Sequence, residues 1–455
     1  MLRIGFIFPS SHYLYDPFRG DPHTHFQILT FLDHELQGEV ETLLIDLRGV
    51  ELKWAMYHIP ECDLYLHSVY TLDYNEQVGI VKNLRERYPK AKHIAGGPHP
   101  LVFKEETLKV FDSLVLGDGE FELLKAIRDF QANKMQPIYQ QATTVDVNAF
   151  PFPRRHWLPA SANAKTGIMN TKDSKYHNLL GTTVIFSRGC PYKCTFCAMP
   201  QSRQLAGKMR YRSPEFIEEE IEYLKKSYGM QAINLLDEIA IPLGRKQAIA
   251  HLEAIGRTGI TWRGQCRVDG ITPEIAKLAA ESGCVAMGMG VESVSQEALR
   301  YINKSVDISL AAGAIQSLKQ AGIEARIYLI CGLPGEPPDI LDQTWNFITS
   351  SQPDLVYASL FTVRPGTDIF DNPQKYGIKK VNTDWDKTMH MIGRYSDEMP
   401  ELTFEYEKDA PWGPSKNPKQ IVEDYLELQV RIKKGGFNTP LPSELKDIEA
   451  SGSVA

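Results

Sequence analysis

The chain has 455 residues, a formal net charge of −7 and 43% hydrophobic residues, and this length predicts two or three domains rather than a single core. Basic and acidic residues are interspersed, which argues against the basic surface that nucleic-acid binding requires. No apolar run approaches the length of a membrane-spanning helix, and the N-terminus lacks a secretory signal. We therefore expect a cytoplasmic protein with neither nucleic-acid nor membrane partners.

Short aliphatic runs alternate with amphipathic stretches over the first part of the chain. Apolar residues spaced at i, i+3 and i+4 predict helices between the aliphatic runs and a further helix over residues 120–131. The strict alternation predicts an α/β domain with a doubly wound, Rossmann-like parallel sheet covered on both faces. We assign residues 1–135 to this domain. The predicted buried strands cover residues 3–9, 41–47, 62–68, 92–97 and 113–119.

Residues 136–180 contain several prolines and no clear period, which is typical of a linker. The alternation resumes over residues 181–370 with six strand-like runs. Since six βα units are too few for a complete eightfold barrel, we expect a partial (β/α)6 barrel with its chemistry at the carboxyl ends of the strands. Residues 371–455 are predicted to be an irregular C-terminal extension with a helix over 418–434, and the last ten or so residues look disordered.

Three of the seven cysteines follow the first barrel strand with the spacing C-x3-C-x2-C: Cys190, Cys194 and Cys197. An odd number of cysteines without a secretory signal does not suggest a set of disulfides. A structural zinc site is one alternative, but it needs four ligands, and no fourth Cys or His lies nearby in the sequence. Three thiolates can instead bind three irons of a [4Fe-4S] cluster and leave the fourth iron open for an exchangeable ligand.

This motif resembles that of the radical S-adenosylmethionine (SAM) superfamily. The resemblance implies that Cys190, Cys194 and Cys197 bind the cluster and that Phe196 packs near the adenine of SAM. It also implies that the open iron chelates SAM, and that an electron from a donor such as flavodoxin or ferredoxin cleaves SAM to a 5′-deoxyadenosyl radical. The expected cofactors are therefore a [4Fe-4S] cluster and SAM.

Polar side chains and glycines at other strands match the same family. The resemblance assigns contacts with the SAM amino group to the end of the second strand, contacts with its ribose or carboxylate to the end of the fourth, and contacts with its adenine to a glycine after the fifth. Arginines on the third and fifth strands are further candidates. The alternative for each polar residue is a capping or solvated role. The residues are Asp237, Glu238, Arg267, Glu292, Ser293, Arg326 and Gly332.

The N-terminal domain resembles the cobalamin-binding domain that precedes the barrel in one class of this superfamily. Asp21-Pro22-His23 is followed by Phe26, and 41 residues (27–67) then lead to Ser68. Gly96-Gly97 follows at the end of the next predicted strand. The resemblance implies that cobalamin lies against Ser68, Gly96 and Gly97, with neutral His23 as the cobalt ligand. Phe26 stands where the family pattern has glycine.

Two other interpretations of the segment around His23 stay open. Asp21 or Thr24 could accept backbone N–H groups at the start of a helix. His23 and His25 could instead face the substrate or SAM.

The resemblance implies a radical SAM enzyme that acts on a small-molecule substrate, and the function that it favours is cobalamin-dependent C-methylation. The alternative is radical cyclisation, rearrangement or elimination of a small metabolite, with cobalamin absent or not a methyl donor. The sequence does not identify the substrate.

Overall fold

The computed structural model describes residues 1–14, 16–18, 20–199, 208–385 and 401–437. The chain divides into two compact units, Met1–Asn163 with Ala198–Arg210, and Ala164–Cys197 with Tyr211–Ala455. The predicted disorder of the last ten or so residues lies outside the described residues. Within the described ranges, no helix combines the length and the apolar character needed to cross a membrane.

A six-stranded parallel sheet forms the centre of the first unit. Its strands are β1 (Leu2–Phe8), β2 (Val40–Asp46), β3 (Leu64–Ser68), β4 (Lys92–Gly96), β5 (Ser113–Leu116) and β6 (Ile138–Gln140). Its helices are α1 (His23–Glu35), α2 (Leu52–His58), α3 (Tyr74–Arg87), α4 (Pro98–Val102), α5 (Lys104–Leu108) and α6 (Glu120–Gln131). The strand order β2-β1-β3-β4-β5-β6 changes direction between β1 and β3, which is where doubly wound sheets bind ligands.

Both faces of this sheet are covered because successive side chains of a strand point to opposite faces. Ile4 of β1 is fully buried in a cluster with Leu29 of α1. Ile7 of the same strand is fully buried in a second cluster with Ile80 of α3. The doubly wound α/β class predicted from the sequence is therefore confirmed.

The sheet continues into the segment that was predicted to be a linker. Strand β6 pairs with β5 in parallel, and the ring of Tyr139 on β6 is buried while its hydroxyl donates to Asp129 Oδ2 at 3.0 Å. An edge strand of three residues is too short to produce a periodic signal in the sequence. One-turn helices follow at Val147–Ala149, Ala160–Asn163 (α7) and Ser174–Tyr176.

A second parallel sheet of six strands forms the centre of the second unit, in the order β14-β13-β12-β11-β10-β7. The six parallel strands predicted for the partial barrel are therefore confirmed, and their carboxyl ends lie at one edge of the sheet. The strands after residue 180 are β7 (Gly181–Val184), β8 (Ser187–Arg188), β9 (Arg210–Tyr211), β10 (Ala232–Leu235), β11 (Thr261–Arg267), β12 (Cys284–Glu292), β13 (Glu324–Cys331), β14 (Leu355–Leu360), β15 (Ile378–Val381), β16 (Phe404–Tyr406), β17 (Asp409–Ala410) and β18 (Gly413–Pro414).

The helices of the second unit connect its strands in sequence. They are α8 (Pro214–Tyr228), α9 (Arg245–Arg257), α10 (Pro273–Glu281), α11 (Gln296–Tyr301), α12 (Ser309–Gln320), α13 (Ile340–Ser351), α14 (Asp368–Asp371) and α15 (Pro418–Lys434), with single 3-10 turns at Val268–Gly270 and Pro373–Tyr376. Helix α8 begins where the Ser213 hydroxyl accepts from the backbone N–H of Phe216, which satisfies one of the N–H groups left open at a helix start.

The C-terminal extension belongs to the second core. Helix α15 has the bounds predicted from the sequence, and a capping box between Asn417 and Gln420 starts it. Leu428 and Ile432 on this helix are buried in the same cluster as Ile327 of β13. The short strands β15 to β18 were not predicted, because strands of two to four residues leave no periodic pattern.

A buried hydrogen-bond chain crosses the first unit. Gln77 Nε2 donates to Asp73 Oδ1 at 2.9 Å and to the Ser68 carbonyl at 3.1 Å, so its Oε1 accepts from His67 Nδ1 at 3.0 Å. His67 Nε2 is then the acceptor for His93 Nδ1 at 3.2 Å. Burial lowers the pKa of His67 well below its usual value and lowers the pKa of His93 to about 4. Both imidazoles are therefore neutral at physiological pH.

Because these histidines are neutral in the folded protein, we expect the protein to lose stability in mild acid. The unfolded chain binds protons near pH 6.5, whereas folded His93 does so near a pKa of about 4, so stability is full above about pH 6.5 and falls as the pH drops. At pH ~5 we expect a loss of about 2 kcal/mol from His93 alone. Urea unfolding at both pH values measures it, and the variant His93→Gln should show a smaller difference. An equal pH dependence in the variant would contradict this assignment.

Candidate active site

Cys190, Cys194 and Cys197 lie on one loop after β7 and β8, and we call residues 190–197 the cysteine loop. All three are half-buried thiols rather than disulfides. Burial raises the pKa of the Cys194 thiol, and the charges of Lys304 and Arg267 oppose that effect. Nearby cations favour the thiolate form that binds iron.

A buried carboxylate fixes the chain just before this loop. Asp237, at the end of β10, accepts from the backbone N–H of Phe186 at 3.1 Å and from the Ser187 hydroxyl at 2.5 Å. Its side chain is only 2% exposed, and burial raises its pKa to about 7 against the opposing hydrogen bond from Ser187. Asp237 was predicted to contact the SAM amino group, whereas the structure engages both of its oxygens in holding the chain that leads to the cysteine loop.

Glu238 lies next to Asp237 and is less buried. Burial raises the pKa of its carboxyl, and its own backbone N–H and the charge of Arg188 lower it. The contact of Glu238 with the SAM amino group stays a prediction.

A turn after α11 reaches the middle of the cysteine loop, and we call Ile302–Ser305 the bridging turn. The Ile302 carbonyl accepts from the backbone N–H of Thr195 at 2.9 Å. Asn303 Nδ2 donates to the Lys193 carbonyl at 2.9 Å. The role of this turn was not predictable from the sequence, because its contacts join residues more than a hundred positions apart.

Arg267 also acts on the cysteine loop. Its guanidinium carbon lies 3.4 Å from the centre of the Tyr192 ring, a cation–π contact. The guanidinium donates to Asp269 Oδ1 at 3.0 Å and to the Ser305 carbonyl at 2.9 Å. Arg267, predicted to bind SAM, is therefore held between the bridging turn and the cysteine loop.

Glu292 and Ser293 lie at the end of β12, as predicted. Lys304 of the bridging turn donates to Glu292 Oε1 at 2.5 Å, and Glu292 has a positive φ of 66°. Non-glycine residues in this region are strained and cluster at functional sites. The Ser293 hydroxyl donates to Glu336 Oε1 at 3.4 Å. Burial raises the pKa of Glu336 to about 8.

The predicted adenine contact at Gly332 is enclosed by protein. Its N–H donates to Glu336 Oε2 at 2.9 Å and its carbonyl accepts from the Tyr406 hydroxyl at 2.9 Å. A Cβ on Gly332, whose φ is +89°, would lie 2.7 Å from Ile421 Cγ2. Glycine is thus needed here for packing of the C-terminal extension. Phe196 packs against the core cluster that contains Tyr406 and Ile421.

Arg326 lies near the start of β13, at the opposite end of the strand from Gly332. It is 2% exposed and donates to Glu324 Oε1 at 2.7 Å and to the Asn170 carbonyl at 2.7 Å. These contacts join the start of β13 to the chain at Asn170.

In the first unit, Ser68 and Gly96 end the neighbouring strands β3 and β4. Gly97 has a φ of +96°, and a Cβ there would lie 2.9 Å from the backbone N and O atoms of Val69. Close approach of the two strand-end loops therefore requires this glycine, whatever ligand lies beside them.

The segment Asp21-Pro22-His23 leads into α1, whose first residue is His23 with 9% exposure. Asp21 Oδ2 lies 3.8 Å from Arg155 Nη1, and both side chains are buried. Phe26 is fully buried, with the Arg155 guanidinium 5.4 Å from its ring centre. His25 Nε2 donates to the Ile7 carbonyl at 3.1 Å, and burial lowers its pKa to about 4. His25 is therefore a neutral core residue.

Among the described residues, no group of three or more His, Cys, Asp or Glu side chains is arranged to hold a single metal ion. The cysteine loop carries three free thiols, and three thiolates can bind three irons of a [4Fe-4S] cluster.

Residues 184–348, which include the cysteine loop and the strand ends around it, match the family model of the Radical SAM superfamily. Over these residues the chain therefore has a radical SAM domain. It is 28% identical over 312 residues to an uncharacterized methyltransferase of Pyrococcus horikoshii, covering 64% of each chain. It is 27% identical over 328 residues to an anaerobic magnesium-protoporphyrin IX monomethyl ester cyclase of Cereibacter sphaeroides, covering 66% of this chain and 52% of the cyclase.

The fold resembles that of a solved radical SAM methyltransferase. The radical SAM methyltransferase TsrM of Kitasatospora setae, solved with cobalamin and a [4Fe-4S] cluster, superposes with a TM-score of 0.71 over 97% of this chain and 91% of that one. The sequence identity is 15%, so this similarity concerns the fold. It supports the fold described above, a Rossmann-like α/β domain and a domain built on a second parallel sheet.

The contacts of Asp237 predict the effect of replacing it. Asp237→Asn puts an amide N–H beside the donors Phe186 N–H and Ser187 Oγ, so we expect unfolding to become easier by about 2 kcal/mol. Chemical denaturation measures this loss, and iron analysis after anaerobic reconstitution should show less iron per chain. Ser187→Ala, which keeps the Phe186 contact, should have the smaller effect in both measurements. Wild-type stability and iron content in Asp237→Asn would contradict this role.

Proposed function

We propose that this protein cleaves SAM reductively at a [4Fe-4S] cluster and uses the resulting 5′-deoxyadenosyl radical on a small-molecule substrate. The observation that carries the proposal is the cysteine loop, with its three thiols, at the carboxyl edge of a radical SAM sheet. When bound, the cluster supplies the electron that breaks the S–C5′ bond of SAM. The residues of the chain hold the partners of that reaction in place.

Cys190, Cys194 and Cys197 suit this cluster because they provide one thiolate for each of three irons and leave one iron for SAM. At the same sheet edge, Glu238 and Glu292 supply carboxylates that suit the SAM ammonium group and ribose hydroxyls.

Binding of cobalamin is the second part of the proposal. The ligand crevice of a doubly wound sheet lies where the strand order changes direction, here between β1 and β3. Polar groups line the chain after β1: Glu76 accepts from the Ser10 N–H at 2.7 Å and lies 3.2 Å from His12 Nδ1. Such groups suit the amide side chains of a corrin. Ser68, Gly96 and Gly97 end the adjacent strands and complete the proposed cobalamin site.

We infer that His23 packs at the start of α1 rather than ligating cobalt. It is largely buried at the first residue of α1, beside the ion pair of Asp21 and Arg155. We expect His23→Ala to retain cobalamin, measured as the corrin absorbance that remains after gel filtration. Loss of corrin absorbance in a folded variant would instead assign His23 to the cobalt.

C-methylation is the reaction that we propose, with cobalamin as the methyl carrier. The similarity to methyltransferases and the likeness of the whole fold to a cobalamin-bound methyltransferase support this proposal. The similarity to a cyclase supports a second candidate, radical cyclisation of a small molecule. An electron donor such as flavodoxin or ferredoxin would serve either reaction.

Anaerobic purification with hydroxocobalamin separates these possibilities. We expect cluster and corrin absorbance together, and release of 5′-deoxyadenosine from SAM when a reductant is added. Cys194→Ser should lose iron and 5′-deoxyadenosine formation while it keeps the corrin bands. A wild-type protein with a cluster and no corrin would contradict methylation and leave cyclisation. A wild-type protein that forms no 5′-deoxyadenosine would contradict both.

A further inference from the structure

The bridging turn contacts the cysteine loop on both sides of Cys194. The carbonyl of Lys193 accepts from Asn303 Nδ2 and the N–H of Thr195 donates to the Ile302 carbonyl, each at 2.9 Å. Both contacts engage the loop backbone, so they fix the path of the chain rather than one side chain. The position of Cys194 is therefore set from the bridging turn.

The same turn also holds Glu292 at the end of β12. The Lys304 ammonium group donates to Glu292 Oε1 at 2.5 Å, and the two side chains are 5% and 13% exposed. Gly290 makes room for this pair, because a Cβ there would lie 2.4 Å from Glu292 Oε1 and 2.9 Å from Lys304 Nζ. Because the Lys304–Glu292 pair is buried and Gly290 has no side chain to displace it, the Glu292 carboxylate is held in one orientation.

Backbone conformation at two of these residues agrees with a fixed arrangement. Asn303 has a φ of 50° and Glu292 a φ of 66°. Asparagine tolerates the left-handed region, whereas glutamate is strained there and keeps this conformation only where surrounding contacts enforce it. The ion pair with Lys304 is such a contact.

We propose that the bridging turn is the element that fixes Cys194 and Glu292 relative to each other, so that one SAM molecule meets the open iron and the Glu292 carboxylate together. Lys304 is a positioning residue that acts through Glu292, and Asn303 is one that acts through the backbone of the cysteine loop. This inference rests on the proposed function, since it concerns how the cluster and SAM are held in register.

A double-mutant cycle tests whether Lys304 acts through Glu292. The variants are Lys304→Gln, Glu292→Gln and the double variant, each reconstituted anaerobically, with the dissociation constant of SAM measured by equilibrium dialysis. We expect each single change to weaken SAM binding about tenfold. The double variant should be no weaker than the weaker single variant, because the two side chains form one unit. Losses that multiply in the double variant would overturn the role of Lys304.

Asn303→Gly tests the contact with the cysteine loop. Glycine keeps the positive φ and removes only the side-chain donor. We expect iron content to stay at the wild-type level, while the change that SAM causes in the electron paramagnetic resonance spectrum of the reduced cluster becomes smaller. A wild-type response to SAM in this variant would overturn the role of Asn303.

Lys319→Gln is the matched control. Lys319 donates to the Gln352 carbonyl at 2.6 Å in an exposed contact on α12, and its replacement should leave SAM affinity unchanged.

Urea unfolding of every variant checks the fold, and Asn303→Gly carries the test if Lys304→Gln does not fold. Failure of the wild-type protein to bind iron or SAM would contradict the proposed function. Normal wild-type binding with normal binding in both Lys304→Gln and Asn303→Gly would contradict only this inference.

Discussion

The buried carboxylate of Asp237 joins the first two strands of the second sheet at the point where the cysteine loop begins. A loop without helix or strand has few backbone hydrogen bonds of its own, here one from the Cys197 N–H to the Cys194 carbonyl at 3.3 Å, so neighbouring elements must supply further contacts. Asp237 does this at the entry to the loop, through Phe186 and Ser187. The bridging turn makes hydrogen bonds to the backbone on both sides of Cys194, and Arg267 makes a cation–π contact with the Tyr192 ring. These contacts restrain the backbone of the chain that carries the three thiols.

Features that depend on residues close in sequence were predictable. The bounds of α6 and α15 follow from apolar periodicity, and they agree with the structure at both ends. The cysteine motif is local as well, since its three members fall within eight residues. The parallel order of both sheets follows from the alternation of strands and helices.

Features that depend on distant contacts were not predictable. The partner of Glu292 is Lys304, which packing of α11 brings back to the strand end. Arg326 was a candidate for binding SAM, whereas packing pairs it with Glu324 and with the distant Asn170 carbonyl. The segment Asp21-Pro22-His23 looked like a local motif, whereas the charge of Asp21 faces Arg155, far along the chain. In each case the sequence identifies the chemical group and tertiary packing decides its use.

The enclosure of Gly332 has a consequence for exchanging parts between related enzymes. Tyr406 and Ile421, both in the C-terminal extension, complete the hydrogen bonding and packing of a glycine that immediately follows the fifth strand of the sheet. The extension is therefore not a removable module, and a chimera that replaces it must carry an equivalent hydroxyl and an equivalent aliphatic side chain. Diversification of the outer surface of this extension is compatible with the barrel, whereas diversification of the face that covers Gly332 is not.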